Sequence, residues 1–156
     1  MRRREKEITE RESLDEILDS APILSLALRA EPAPYVVPVC FGRVGDTLYV
    51  HSALAGTKID LLEADPVVGF CAVTDPVISA GATPCASTAS GRSIVGTGRA
   101  RIVQEEEERL RGLDAIMRHY GHGAGSSGER PAYRPESLAR TGVIAIRMDT
   151  LHGKRV

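Results

Sequence analysis

Residues 23–52 constrain the fold most. The apolar runs "ILSLALRA", "PYVVPVCF" and "TLYVHS" follow one another here with only short interruptions. Each has the length of a strand, and Leu24, Leu26 and Leu28 share one face of the first. The "GRVGD" between the last two is a hairpin signal. With the later runs "VVGFCAVT", "RSIVGTGRARIV" and "GVIAIRMDTL", the count reaches about six strands, with no βαβ rhythm. The expected fold is therefore mainly β with peripheral helices: one domain over residues 1–156, built as a closed or partly closed antiparallel barrel. Pro38 narrows this further. Lacking an N–H, it belongs at a sheet edge, at a bulge, or where a ligand replaces a neighbouring strand.

Helices are expected at three places. "SLDEILDSAP" reads as a short helix with Ser13 as N-cap, Glu16 completing a capping box, and Leu14, Ile17 and Leu18 facing inward. "TKIDLLEADP" is a compact helix closed by Asp65-Pro66. "QEEEERLRGLDAIMRHYG" is the clearest, with Leu110, Leu113, Met117 and Tyr120 on one face and Gly121 placed to end it. Residues 75–91, rich in Gly, Ala, Ser, Thr and Pro, read as a long irregular loop. Residues 121–128 read as linker, and "HGKRV" as a tail. Glycines 96 and 98 signal a bulge or a close backbone approach.

Composition removes several function classes. Formal net charge is −1, so the basic surplus of a nucleic-acid partner is missing, and a chain with no Trp and 4% aromatics is poorly equipped to stack bases. The basic start has no apolar run behind it and no stretch is long enough to span a bilayer, so neither a signal peptide nor a membrane anchor is expected. Cys40, Cys71 and Cys85 form an odd set without CxxC spacing, which suits free thiols in a reducing cytoplasm. No metal site is expected: His119 and His122 in "HYGH" sit at a helix end, where a histidine suits the dipole without any ligand.

The chemistry concentrates in "LYVHSALAGTKIDLL". Alternation places Leu48 and Val50 in the core and His51 on the outer face at the strand's end. Lys58 falls in the first turn of the next helix, an end that is already partly positive. A bound anion would satisfy both that charge and the free N–H groups, with Ser52 and Thr57 as hydroxyl donors. The spacing alone favours the simpler reading, an exposed lysine on a surface helix and a surface histidine.

More of the chain carries a resemblance: "REKEITERESLDEIL", then "YVVPVCFGRVGDTLYVHSALAGTKIDLLEADPVVGF", "PC" at 84–85, "RSIVGTGRA", "RHY" and the closing "GKR". Together they resemble the nitroimidazole-resistance (Nim) branch of the pyridoxamine 5′-phosphate oxidase-like, FMN-binding split-barrel proteins. The resemblance implies a six-stranded antiparallel split barrel, a homodimer, and FMN held between the subunits. It gives Val37, Pro38 and Val39 the flank of the flavin ring, and Ser52, Thr57 and Lys58 its phosphate. It places His51 beside the ring as the candidate catalytic residue, and brings Ser93, and more weakly Lys154 and Arg155, to the flavin pocket. The implied activity is an oxidoreductase in the cytoplasm, reducing a small acceptor such as a nitro-aromatic.

One segment departs from the pattern. Between "PC" and "RS" the family's aromatic and charged bulk gives way to "ASTASG", so a wider or less closed substrate pocket is expected. That change leaves room for a non-catalytic flavin-binding or sequestering protein. Related split barrels also take haem or the deazaflavin F420; a phosphate-binding turn speaks against haem. Pyridoxamine phosphate oxidation itself is not expected, because no basic set for a second phosphate is evident in the sequence.

Overall fold

The computed structural model describes residues 4–121 and 132–155. One antiparallel sheet dominates it. Its strands are β1 (Glu7–Ile8), β2 (Leu24–Leu28), β3 (Tyr35–Val39), β4 (Phe41–Val44), β5 (Thr47–Ser52), β6 (Val67–Ser79), β7 (Thr88–Ile102) and β8 (Gly142–Arg155). The order along the sheet is β3-β2-β6-β7-β8-β5-β4, with β1 added to β8. The two strands at opposite ends of this path, β3 and β4, are separated in sequence only by Cys40. The sheet must therefore curl until its edges meet at that residue, without pairing across the seam. This is the expected split barrel, with two more strands than the expected six because the short β1 joins in and the "FGRV" run is a strand of its own.

Inward residues alternate with outward ones along each strand, as a half-buried sheet requires. Leu24, Leu26, Leu28, Phe41, Leu48, Val50, Val68, Ile94, Ile144 and Ile146 fill the barrel. Each such side chain stabilises the fold by roughly 1.5–3 kcal/mol through burial. Helix α1 (Arg11–Ser20) adds Leu14, Ile17 and Leu18 to this core, and α2 (Thr57–Ala64) adds Ile59 and Leu62. Helix α3 (Glu106–His119) lies on the outside instead, where Leu113, Ala115 and Ile116 pack on Tyr49, Val143 and Ala145. Gly42 of β4 permits that contact, since a Cβ there would lie 2.3 Å from the Ala115 carbonyl carbon. A one-turn helix α4 (Pro135–Leu138) precedes β8.

Several expectations need correction. The N-cap of α1 is Glu10 rather than Ser13, without a side-chain cap bond, so Ser13 and Glu16 form no capping box. The helix starts earlier because Arg11 bonds Asp15 one turn on and also Asp46 of the β4–β5 turn. The expected loop at 75–91 is partly paired: Val77–Ser79 bond to Thr88–Ser90, making a two-stranded ribbon beyond a bulge at Thr74/Val77. The "HGKR" stretch is not a tail but the end of β8, held between β7 and β1. In α3 the most buried face is Gly112, Leu113, Ala115 and Ile116, with Leu110, Met117 and Tyr120 only half-buried. The linker expected at 121–128 and His122 lie, beyond Gly121, outside the described residues.

Other expectations hold. Pro38 sits on the edge strand β3, paired on one side to Ser25. The β7–β8 register shifts between Thr97 and Gly98, and a Cβ on Gly96 would lie 2.4 Å from the Phe70 ring. Gly121 closes α3 with φ +75°.

Candidate functional site

The site is built where β5 runs into α2. Leu48 and Val50 anchor the strand in the core, as the alternation requires. Ser52, next on the inward side, pairs with Gly142 of β8 and has its Oγ buried without a hydrogen-bond partner. A buried hydroxyl normally has a partner, so this one marks a place for an acceptor or donor from outside the chain. Gly56 then turns the chain with φ +122°, a conformation open to glycine and costly for other residues. It starts α2 with no side-chain cap. The first N–H groups of the helix are thus left without intrahelical partners.

Lys58 stands in this first turn, half-buried. Burial alone pushes its ammonium below the ordinary lysine range, with no carboxylate opposing the shift. Tyr35, Ser52, Thr57 and Lys58, with Gly56 and Ile59, line a recess of about 230 Å³. It offers a cation, a hydroxyl without a partner, uncapped amides and a second hydroxyl: the donor set a phosphate group needs. The residues present therefore fit the phosphate of a flavin nucleotide. Tyr35 was not anticipated; it reaches the recess through the β2–β3 pairing, which no local motif encodes.

Tyr35 also opens β3, so the free edge carrying Val37, Pro38 and Val39 leads directly away from the recess. The bend that ends this edge is held from outside. The Tyr120 hydroxyl accepts from the Phe41 N–H at 3.3 Å and donates to the Pro22 carbonyl at 2.8 Å. Burial pushes its phenol up to about 12, against the bond from the Phe41 N–H, which lowers it. His119 donates through Nε2 to the Ala21 carbonyl at 2.8 Å and lies 4.5 Å from the Phe41 ring centroid.

The remaining candidates do not converge on the recess within one chain. His51 is exposed on the outer face, one residue before Ser52 and on the opposite side of the strand. Ser93 and Lys154 are direct cross-strand partners near the far end of β7 and β8, and Arg92 and Arg155 are the next pair. Through the paired registers, Tyr35 lies level with Gly98, five residues from Ser93. At ~3.4 Å per residue and ~4.8 Å per strand, the two groups are on the order of 20 Å apart. They lie too far apart to grip one phosphate.

The outer face between them is apolar and uncovered. Val36 is 60% exposed, Val67 46%, Val73 43% and Val95 48%, all pointing outward from β3, β6 and β7. The thiols of Cys40, Cys71 and Cys85 are free. No helix among the described residues is long and apolar enough to cross a membrane.

Comparison with known proteins agrees with this geometry. A family model described as pyridoxamine 5′-phosphate oxidase matches residues 10–155. Among solved structures, a candidate 5-nitroimidazole antibiotic resistance protein from Bacteroides thetaiotaomicron is 26% identical, covering 96% of this chain and 86% of its own, with a TM-score of 0.79. A FAD and haem binding protein from Mycobacterium smegmatis is also 26% identical, covering 96% of this chain and 72% of its own, with a TM-score of 0.80. The flavocytochrome Anf3 of Azotobacter vinelandii shares the fold at 20% identity, 95% and 68% coverage and a TM-score of 0.78. A comparison with curated proteins finds no significant match. With the whole barrel, from α1 to the end of β8, inside the matched span, the chain belongs to the pyridoxamine 5′-phosphate oxidase family and resembles its nitroimidazole-resistance branch.

Proposed function

We propose that the protein is an FMN-dependent oxidoreductase working as a cytoplasmic homodimer and passing electrons to a small acceptor such as a nitro-aromatic compound. The observation that carries this reading is the recess itself: Ser52 Oγ is buried without a partner and Lys58 is half-buried without a counter-ion, at an uncapped helix start. Ser52, Thr57 and Lys58 would hold the phosphate, and the free edge Val37–Val39 would flank the ring. The bound flavin would supply the redox chemistry, and the chain would supply binding and orientation. The nitroimidazole-resistance likeness supports the acceptor class, and the FAD-binding neighbour supports a flavin. FMN is favoured over FAD, with its diphosphate, because the recess is matched to one phosphate group.

The dimer is supported by the bare valines, a face apolar enough to need a cover. A second copy on it would also bring Ser93 and Lys154 to the neighbouring chain's flavin edge. His51, on the outer face, would then contact substrate or ring, as a proton donor or as a positioning group. The cytoplasm suits three free thiols.

A second reading, a flavin carrier without turnover, is favoured by one observation. Residues 75–90 are exposed throughout and contain no aromatic side chain to close a substrate pocket. The visible spectrum of the purified protein, before and after adding FMN, tests the main reading. Flavin absorbance with one FMN per chain supports it; no bound flavin in either case defeats it. Lys58→Gln should weaken FMN about ten- to a hundredfold, the range expected for losing a charged hydrogen bond of about 1.5–3 kcal/mol. Steady-state reduction of a nitroimidazole by the bound flavin separates enzyme from carrier.

A further inference from the structure

The strand registers assemble a second cluster of cations, far from the Lys58 recess in sequence. Arg99 of β7 lies directly opposite Arg147 of β8, in a row that runs from Val67 on β6 to Thr47 on β5. Like charges directly opposite one another destabilise a sheet. The chain does little to offset this pair. One carboxylate serves both: Asp149, left without a β7 partner by the β7–β8 register shift, sits 4.0 Å from Arg99 Nε and 3.9 Å from Arg147 Nη2, outside hydrogen-bond range.

The neighbouring Arg101, by contrast, is fully engaged. Its Nη2 donates to both oxygens of Glu108 at 2.6 and 2.7 Å, and Tyr49 donates to the same carboxylate at 3.2 Å. Glu108 is therefore committed and does not neutralise the pair. Arg99, Arg101 and Arg147 line a recess of about 300 Å³ whose other walls are the small residues Thr47, Ala100 and Ala145. Two guanidinium forks with free donors, beside an open volume with no bulky side chain, form a receptor for a tetrahedral dianion.

We propose that this recess is a second anion site, binding a phosphate or diphosphate anion between Arg99 and Arg147. It is independent of what the Lys58 recess holds. It also supplies the second basic set that the sequence alone does not reveal, because that set exists only once β7 and β8 are in register.

Calorimetric titration of inorganic pyrophosphate into the full-length protein at low salt tests the site, with the Lys58→Gln protein used to remove binding at the first recess. One equivalent should still bind per Lys58→Gln chain. Adding Arg99→Gln and Arg147→Gln should weaken that binding at least tenfold, while FMN binding by the doubly substituted protein with Lys58 intact stays at the wild-type level. Without pyrophosphate the Arg99→Gln/Arg147→Gln protein should melt no lower than wild type, since a repulsive pair has gone. Should that protein misfold, Arg147→Gln alone, the more exposed partner at 79%, carries the same expectation. The proposal is overturned if the Lys58→Gln chain binds no pyrophosphate or if the arginine changes leave binding unchanged. It is also overturned if they shift only the monomer–dimer balance, which would make the pair a contact for a second copy's carboxylate.

Discussion

The two halves of the barrel's outer face are built from similar strands and finished differently. Over β5 and β8, α3 seals the face: Leu113, Ala115 and Ile116 bury Tyr49, Val143 and Ala145, and Glu108 locks Tyr49 and Arg101 at its edge. Over β2, β3, β6 and the upper part of β7 the described residues provide no covering helix, and Val36, Val67, Val73 and Val95 face outward. The difference indicates a division of labour. The covered half fixes the scaffold and the bend at Cys40, and the bare half is kept for whatever completes the site.

That contrast can be broken most sharply at Ile116. Ile116→Asp places a charge in the sealed half, with loss of packing and an unpaired carboxylate. It should cost at least about 3 kcal/mol in urea denaturation. The matching change in the bare half, Val95→Glu, should cost within about 0.5 kcal/mol as a surface substitution, yet convert the proposed dimer to monomer in analytical ultracentrifugation. If Val95→Glu destabilises the fold as much as Ile116→Asp, or leaves the dimer intact, the division between the halves fails.

A smaller effect comes from the recess that borders the bare half. Lys58 has its pKa lowered by burial in the folded protein. Just below 10.5, its ordinary value, the unfolded chain holds a proton that the folded chain has given up, so stability of the flavin-free protein rises with pH there. Below the folded pKa the penalty of the buried charge is fully present. Lys58→Gln should flatten that alkaline rise and leave the neutral melting temperature equal or higher. An unchanged rise would mean that Lys58 is not desolvated.

What the sequence made legible is local. Ser52, Thr57 and Lys58 fall within one strand-to-helix turn, so local spacing and the dipole made them a candidate set, and the chain-long resemblance made that set the favoured one. Pro38 announced an edge strand through its missing donor, and Leu48 and Val50 announced the core through alternation. What stayed hidden depends on pairing between distant segments. The ribbon at Val77–Ser79 and Thr88–Ser90 has no hydrophobic alternation because it has no core beneath it, so its residues read as loop. The "HGKR" strand lacks an apolar signal because its inward position is Gly153, packed closely on Leu14 and Ile8, and it is held by its backbone between β7 and β1. Ser13 looked like a cap because the ion pairs of Arg11 that lengthen α1 include Asp46, from a different turn. The opposition of Arg99 and Arg147 is a fact of register alone.

The central claim is that one flavin site draws on two chains, with Lys58 from one and Ser93 and Lys154 from the other. A mixed dimer tests it most directly, combining a Lys58→Gln chain with a Ser93→Leu/Lys154→Gln chain, each of which should bind FMN weakly as its own homodimer. In the mixed dimer one of the two sites regains every native residue, so the account predicts wild-type FMN affinity at one FMN per dimer. Weak binding at both sites would contradict it, because it would mean that each chain builds its flavin site alone.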